Sequence, residues 1–236
     1  MKTRAIVSLA VAAAIAAGLS TATGAGSRGR FTANVTNPWF PLRPGTVFVY
    51  RGVKDGKPAR DVLRVTQGVK VIDGVPCRVL DDRLYLAGRL EERTSDWYTQ
   101  DGRGNVWYYG ETTAELDRHG KVRSTEGSWQ AGVHGAKPGI FMPARPAVGQ
   151  SFRQEFYRGH AEDRFRILRL HARIRVPYVS SNRAILTQET TALEPGVVDH
   201  KYYVRGIGTV KEQTVKGGDE RAVLVSLGRA RRSSPR

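Results

Sequence analysis

The chain has 236 residues, with 38 Lys and Arg against 22 Asp and Glu, a formal net charge of +16 and a single cysteine. That length suits one domain able to bury a core without covalent staples, and a lone thiol excludes an intramolecular disulfide framework. So positive a balance favours anionic surroundings such as envelope polymers or an anionic lipid surface, with no specific nucleic acid expected for an exported chain.

The chain opens with Lys2 and Arg4, followed by an apolar run over 5–19 and small residues over 20–27. This is the layout of a secretory signal peptide, expected to end near Ala25, and it predicts an exported protein. The run is short for a membrane span, and no later segment approaches one, so no transmembrane span is expected in the mature chain. Residues 26–36 are rich in Gly, Ser and Thr and read as a flexible linker. Asn37-Pro38-Trp39-Phe40-Pro41-Leu42-Arg43-Pro44-Gly45 follows, and its prolines exclude helix and central strand. Trp39 and Phe40 are expected to plug one end of a core.

From Thr46 onward the hydrophobic period is two. Strands are expected over 46–50, 61–72, 75–85, 89–99, 105–112, 112–118 and 121–129, with turns at Asp55-Gly56, Asp73-Gly74 and His119-Gly120. Residues 135–146, with three prolines and two glycines, read as a long loop. Further strands are expected over 151–157, 164–176, 184–191, 197–204, 209–215 and 222–227, and 229–236 reads as a basic disordered tail. The fold class is mainly β: residues 37–228 form a single domain, an antiparallel meander closed as a β-barrel or curled half-barrel with little helix.

Cys77 lies in an apolar strand-like stretch without a neighbouring His, so it reads as a small buried hydrophobe rather than a nucleophile. The most informative segment runs over 96–111. A three-residue loop at Gly102-Arg103-Gly104 sets Asp101 opposite Asn105, Thr99 opposite Trp107 and Trp97 opposite Tyr109. Strict alternation then puts Trp97, Trp107, Tyr109 and Glu111 on one face, which is expected to line the concave interior as a ligand platform. Tyr98, Val106 and Tyr108 fall on the other face. Calcium is not expected in this loop, because Arg103 stands where a third oxygen donor belongs.

Glu155, His160, Glu162 and Asp163 cluster at a second turn and could serve acid–base chemistry only if buried together. Arg169, His171, Arg173 and Arg175 alternate with Leu168, Leu170, Ala172 and Ile174, which places the cations on one face and marks the apolar set as inward. No nucleophile elbow, metal-ligand spacing or cofactor motif is present in the sequence.

Asn37 to Gly45, Asp96 to Glu111, Phe141-Met142-Pro143-Ala144-Arg145-Pro146, and Lys201-Tyr202-Tyr203 with Gly206-Ile207-Gly208-Thr209-Val210-Lys211-Glu212 resemble a family of exported bacterial proteins of uncharacterised activity. The closing pattern also looks like the end of curled-sheet envelope proteins of the lipoprotein-carrier style, which implies a fold and no activity. The sequence therefore points first to a non-catalytic exported protein holding a small apolar or amphipathic ligand. Two alternatives stand beside it: a basic structural or adhesion factor on anionic envelope polymers, and an enzyme using buried carboxylates inside a barrel.

Overall fold

The computed structural model describes residues 31–229, and the strands in it all pair antiparallel. No helix occurs among the described residues. The signal peptide and nearly all of the basic tail lie outside them. The first five strands are β1 (Thr46–Lys54), β2 (Lys57–Ile72), β3 (Val75–Leu86), β4 (Arg89–Gln100) and β5 (Val106–Leu116). Short pieces follow as β6 (Val122–Ser124), β7 (Trp129–Gln130), β8 (Lys137–Met142), β9 (Ser151–Arg153) and β10 (Glu155–Phe156). The second half consists of β11 (Asp163–Arg175), β12 (Ser180–Thr191), β13 (Val198–Val204), β14 (Gly208–Lys216) and β15 (Arg221–Arg229).

The turns carry the local chemistry that the meander needs. Asp73 and Gly74 both adopt positive φ, 48° and 74°, as a two-residue turn matched to strand twist requires. The sheet order is β10-β8-β5-β4-β3-β2-β1-β15-β14-β13-β12-β11-β9. Pairing of β1 with β15 joins the two halves, so the sheet curls into a barrel with one unsealed seam between β8 and β9. At that seam the backbones nearly touch: a Cβ on Gly139 would lie 2.1 Å from the Arg153 carbonyl oxygen.

The strand expected over 121–129 is reduced to β6 and the first residue of β7, and two further segments differ from expectation. The stretch 135–146 contains β8, which extends the sheet beyond β5 and pairs with β10. Its prolines, Pro138 and Pro143, stand near its two ends rather than in its middle, where a missing N–H costs most. Residues 31–36, read as part of a flexible linker, are packed. Thr32 exchanges two backbone hydrogen bonds with Gln100, Val35 is buried, and Phe31 meets Trp107 and Tyr109 edge-on. That apolar contact offsets the ordering entropy a Gly/Ser/Thr composition would otherwise retain.

Candidate functional site

Register fixes what faces inward. Tyr50 on β1 lies opposite Asp61 on β2, Leu63 opposite Asp82 on β3, and Leu80 opposite Asp96 on β4. Directly paired residues share a face, so these side chains line the concave side together. Ala222, Glu212 and Lys201 continue the same face across β15, β14 and β13. Across most of the wall the inner surface is therefore polar, whereas Arg51, Arg60, Arg64, Arg83 and Arg93 all stand exposed on the outside. The molecule is basic without and acidic within.

Two adjoining cavities of about 150 Å³ each lie inside this wall. They share Tyr50, Asp61, Asp82, Glu212 and Ala222. One is closed by Phe40, Tyr98, Phe141 and Asp96; the other reaches Lys54, Glu92, Thr94 and Glu220. The first has an aromatic end. Phe40 packs on Phe141 at 4.6 Å and on Tyr98 at 5.2 Å, and Tyr98 stacks on Tyr108 at 4.6 Å. Phe40 thus does plug one end of the core, and it also forms part of a cavity wall.

Two lysines neutralise part of the acidic lining. Lys201 meets Glu189 at 2.8 Å and Glu212 at 3.4 Å, and Lys54 meets Glu220 at 3.5 Å. Burial alone would lower the Lys201 ammonium, but Glu189 and Glu212 outweigh it and hold it well above the ordinary lysine range. The remaining carboxyls have no such partner. Burial, then the Asp82 charge, raises Asp61 well above the carboxylate range. Asp61 and Asp82 line the same two cavities, and Oδ1 of each is buried without a hydrogen-bond partner among the described residues. Burial and Asp82 push Asp96 up to about 7, against the opposing Tyr108 hydroxyl, which donates to it at 2.7 Å.

Of the four side chains expected on a common inward face, one is there. The predicted loop forms: the Asp101 N–H donates to the Asn105 carbonyl at 3.0 Å, Gly104 has φ 91°, and Thr99 lies opposite Trp107. Beyond that point the register shifts. Tyr98 pairs with Tyr108 but Trp97 pairs with Gly110, so Tyr109 is an extra residue in β5. Such a bulge inverts the parity that strict alternation assigns. Glu111 falls opposite Asp96 on the inner face, whereas Trp97 and Trp107 fall on the opposite face. Trp97 lies beneath the Lys70 ammonium, 3.2 Å from its ring centre, and Trp107 donates its indole N–H to Asp101 at 2.9 Å. Tyr98 and Tyr108, expected on the outside, face the cavity side instead.

Gly110 permits the bulge. Its φ is 132°, and a Cβ there would lie 2.3 Å from the Trp129 carbonyl oxygen on β7. Glu111 is half-buried on the inner face. No hydrogen bond or ion pair satisfies it, and burial followed by the Asp96 and Glu155 charges raises it well above the carboxylate range.

The second turn divides. Glu155 and Asp163 are turned inward, each with one oxygen lacking a hydrogen-bond partner, and the Glu155 carboxyl and Trp129 indole N–H approach without aligning as a bond. His160 instead meets Glu126 at 3.3 Å and stacks on Tyr157, and Glu162 accepts the Gly159 N–H. The four residues do not form one acid–base group.

In the 101–105 loop, Asp101 accepts from the backbone of Arg103 and Asn105, from Asn105 Nδ2 and from Trp107. Burial would raise this carboxyl, but those donors, Trp107 first, hold it below its usual range. Among the described residues no group of three or more His, Cys, Asp or Glu side chains could hold a metal ion. Asn37 gathers the separate motifs: its side chain donates to the carbonyls of Gly104 and Pro143, and its N–H reaches Gln100 Oε1. Cys77 is buried, and burial pushes its thiol up to about 12, as expected of an inert core thiol.

No protein-family model and no curated protein matches the chain. Two solved structures are similar in fold. A candidate exported protein with a YmcC-like fold from Bacteroides fragilis is 13% identical, with a TM-score of 0.47, over 81% of this chain and 99% of its own. A candidate lipoprotein from Parabacteroides distasonis is 9% identical, with a TM-score of 0.43, over the same shares. At these values neither carries a role over to this chain.

Proposed function

We propose that this chain is an exported binding protein whose curled sheet holds a small amphipathic ligand. One observation carries the reading: the adjoining cavities run from an aromatic end at Phe40, Tyr98 and Phe141 to a carboxyl-lined body at Asp61, Asp82 and Asp96. An apolar cavity of about 150 Å³ accommodates a benzene-sized group, so the pair suits a ring with a short polar extension. Ligand sites commonly combine such an apolar wall with a few convergent polar groups. Glu111, from the expected platform, stands opposite the cavity-lining Asp96 on the inner face. The signal-peptide layout supports export, and the exposed Arg164, Arg166, Arg169, Arg173 and Arg175 of β11 suit an anionic envelope surface outside.

Small molecules released by denaturing the exported protein, identified by mass spectrometry, test the reading. A ligand near one per chain is expected, and Ala222→Phe, which fills the junction of the cavities, should lose it while staying folded. Failure to recover any molecule from the folded wild-type protein would refute it. A second reading, acid–base catalysis, is favoured by Asp61 and Asp82, which line the same cavities with Oδ1 of each buried and unpartnered among the described residues. It requires that the released molecule be chemically changed on incubation, and that Asp61→Asn abolish the change.

A further inference from the structure

We infer that the ligand is an organic cation, an ammonium or amidinium group on an apolar body, and that its charge docks among Asp61, Asp82, Asp96 and Glu111. The inference rests on the small-ligand reading above and specifies its chemistry.

The acidic lining falls into two parts. Glu189, Glu212 and Glu220 have lysine partners. The group toward the aromatic end does not, although the protein carries 38 Lys and Arg in all and Lys201 lines the same cavity. Burying a carboxylate without a counter-charge is costly, so such sites pair, protonate or take a cation. Two observations beyond the clustering point to a ligand. Glu111 is half-buried, lies opposite Asp96 on the inner face and has no hydrogen bond or ion pair among the described residues. Oδ1 of both Asp61 and Asp82 is buried without a hydrogen-bond partner among the described residues, and both side chains line both cavities. An ammonium supplies three donors and a positive charge, which is what these oxygens lack.

A metal ion fits less well, because these carboxyls are not grouped closely enough to coordinate one. An organic cation tolerates wider spacing, and its apolar body finds Phe40, Phe141, Leu63 and Leu80 on the same cavity wall. Tyr98 presents a ring to the same space, which favours a cation further.

Three isosteric probes test the inference by calorimetric titration of the full-length exported protein: 2-phenylethylamine, 2-phenylethanol and 3-phenylpropionate. The amine should bind about tenfold or more tightly than the alcohol, and the carboxylate should not bind detectably. Glu111→Gln and Asp61→Asn should each weaken the amine by about tenfold and leave the alcohol unchanged. Equal binding of amine and alcohol, or preferred binding of the carboxylate, would overturn the cation inference while leaving a small-ligand site intact. Binding of none of the three to the wild-type protein would overturn both. The wild-type comparison decides the matter even if a variant fails to fold.

Discussion

Asp96 on β4 and Glu111 on β5 stand directly opposite each other on the inner face of the sheet, and neither pairs with a lysine or arginine. Like charges in that position destabilise a sheet by up to about 1 kcal/mol even when exposed. Glu111→Gln should therefore raise stability by up to about 1 kcal/mol, and by more at pH 8 than at pH 5, because the raised carboxyl is less ionised at the lower pH. Thermal unfolding at the two pH values checks this. A loss of stability at pH 8 would show that Glu111 has a structural partner.

Stability should fall as pH rises from about 4 to 8. Asp61, Asp96, Glu111 and Glu155 are all raised in the folded protein, first by burial and then by neighbouring carboxyls. The folded state therefore binds more protons than the unfolded one. The stability these groups contribute is complete below their unfolded values near 4 and is lost through the folded values, about 7 for Asp96. Asp96 shares its face with Asp82 from β3, Glu92 on its own strand, and Tyr108 and Glu111 from β5, and Asp81 adds a weaker charge from the other face of β3. Lys54 and Lys201 stay charged throughout this window. His200, lowered by burial, acts in the opposite sense. The melting temperature should drop by roughly 5 °C or more between pH 5 and pH 8, and a rise would contradict the electrostatic account.

Trp107→Ala should cost about 3 kcal/mol of stability, because the ring packs under Phe31 and ties down the 101–105 loop through Asp101. It should not alter probe binding in the cavity, which lies on the other face of β5. Titration of the folded variant with 2-phenylethylamine distinguishes the faces.

Lys201→Met should destabilise by about 2–3 kcal/mol, since it leaves the buried Glu189 and the partly exposed Glu212 without their cation. The double variant with Glu212→Gln should recover part of that loss. Denaturant unfolding of both variants measures the coupling.

The barrel was legible because turns and alternation are local. Asp73-Gly74 announces a hairpin, and Arg169, His171, Arg173 and Arg175 alternate with the inward Ala172 of β11. The site was less legible for two reasons. One extra residue at Tyr109 reverses parity, and Gly110 became diagnostic only beside the Trp129 carbonyl across the sheet. Asp61, Asp82 and Asp96 are far apart in sequence, and isolated acids in strands ordinarily face water. A usable signal existed in their spacing from the apolar Leu63, Val65, Leu80 and Tyr98, which shares their parity strand by strand. Lys201 and Glu212, both within the closing motif, prove to be ion-pair partners across β13 and β14.

A crystal structure of the full-length exported protein grown with 2-phenylethylamine tests the central claim most directly. The account predicts the ring against Phe40, Tyr98 and Phe141, with the ammonium among Asp61, Asp82, Asp96 and Glu111. An amine bound only on the outer face beside Trp97 or Trp107, with the interior cavities unoccupied, would contradict it.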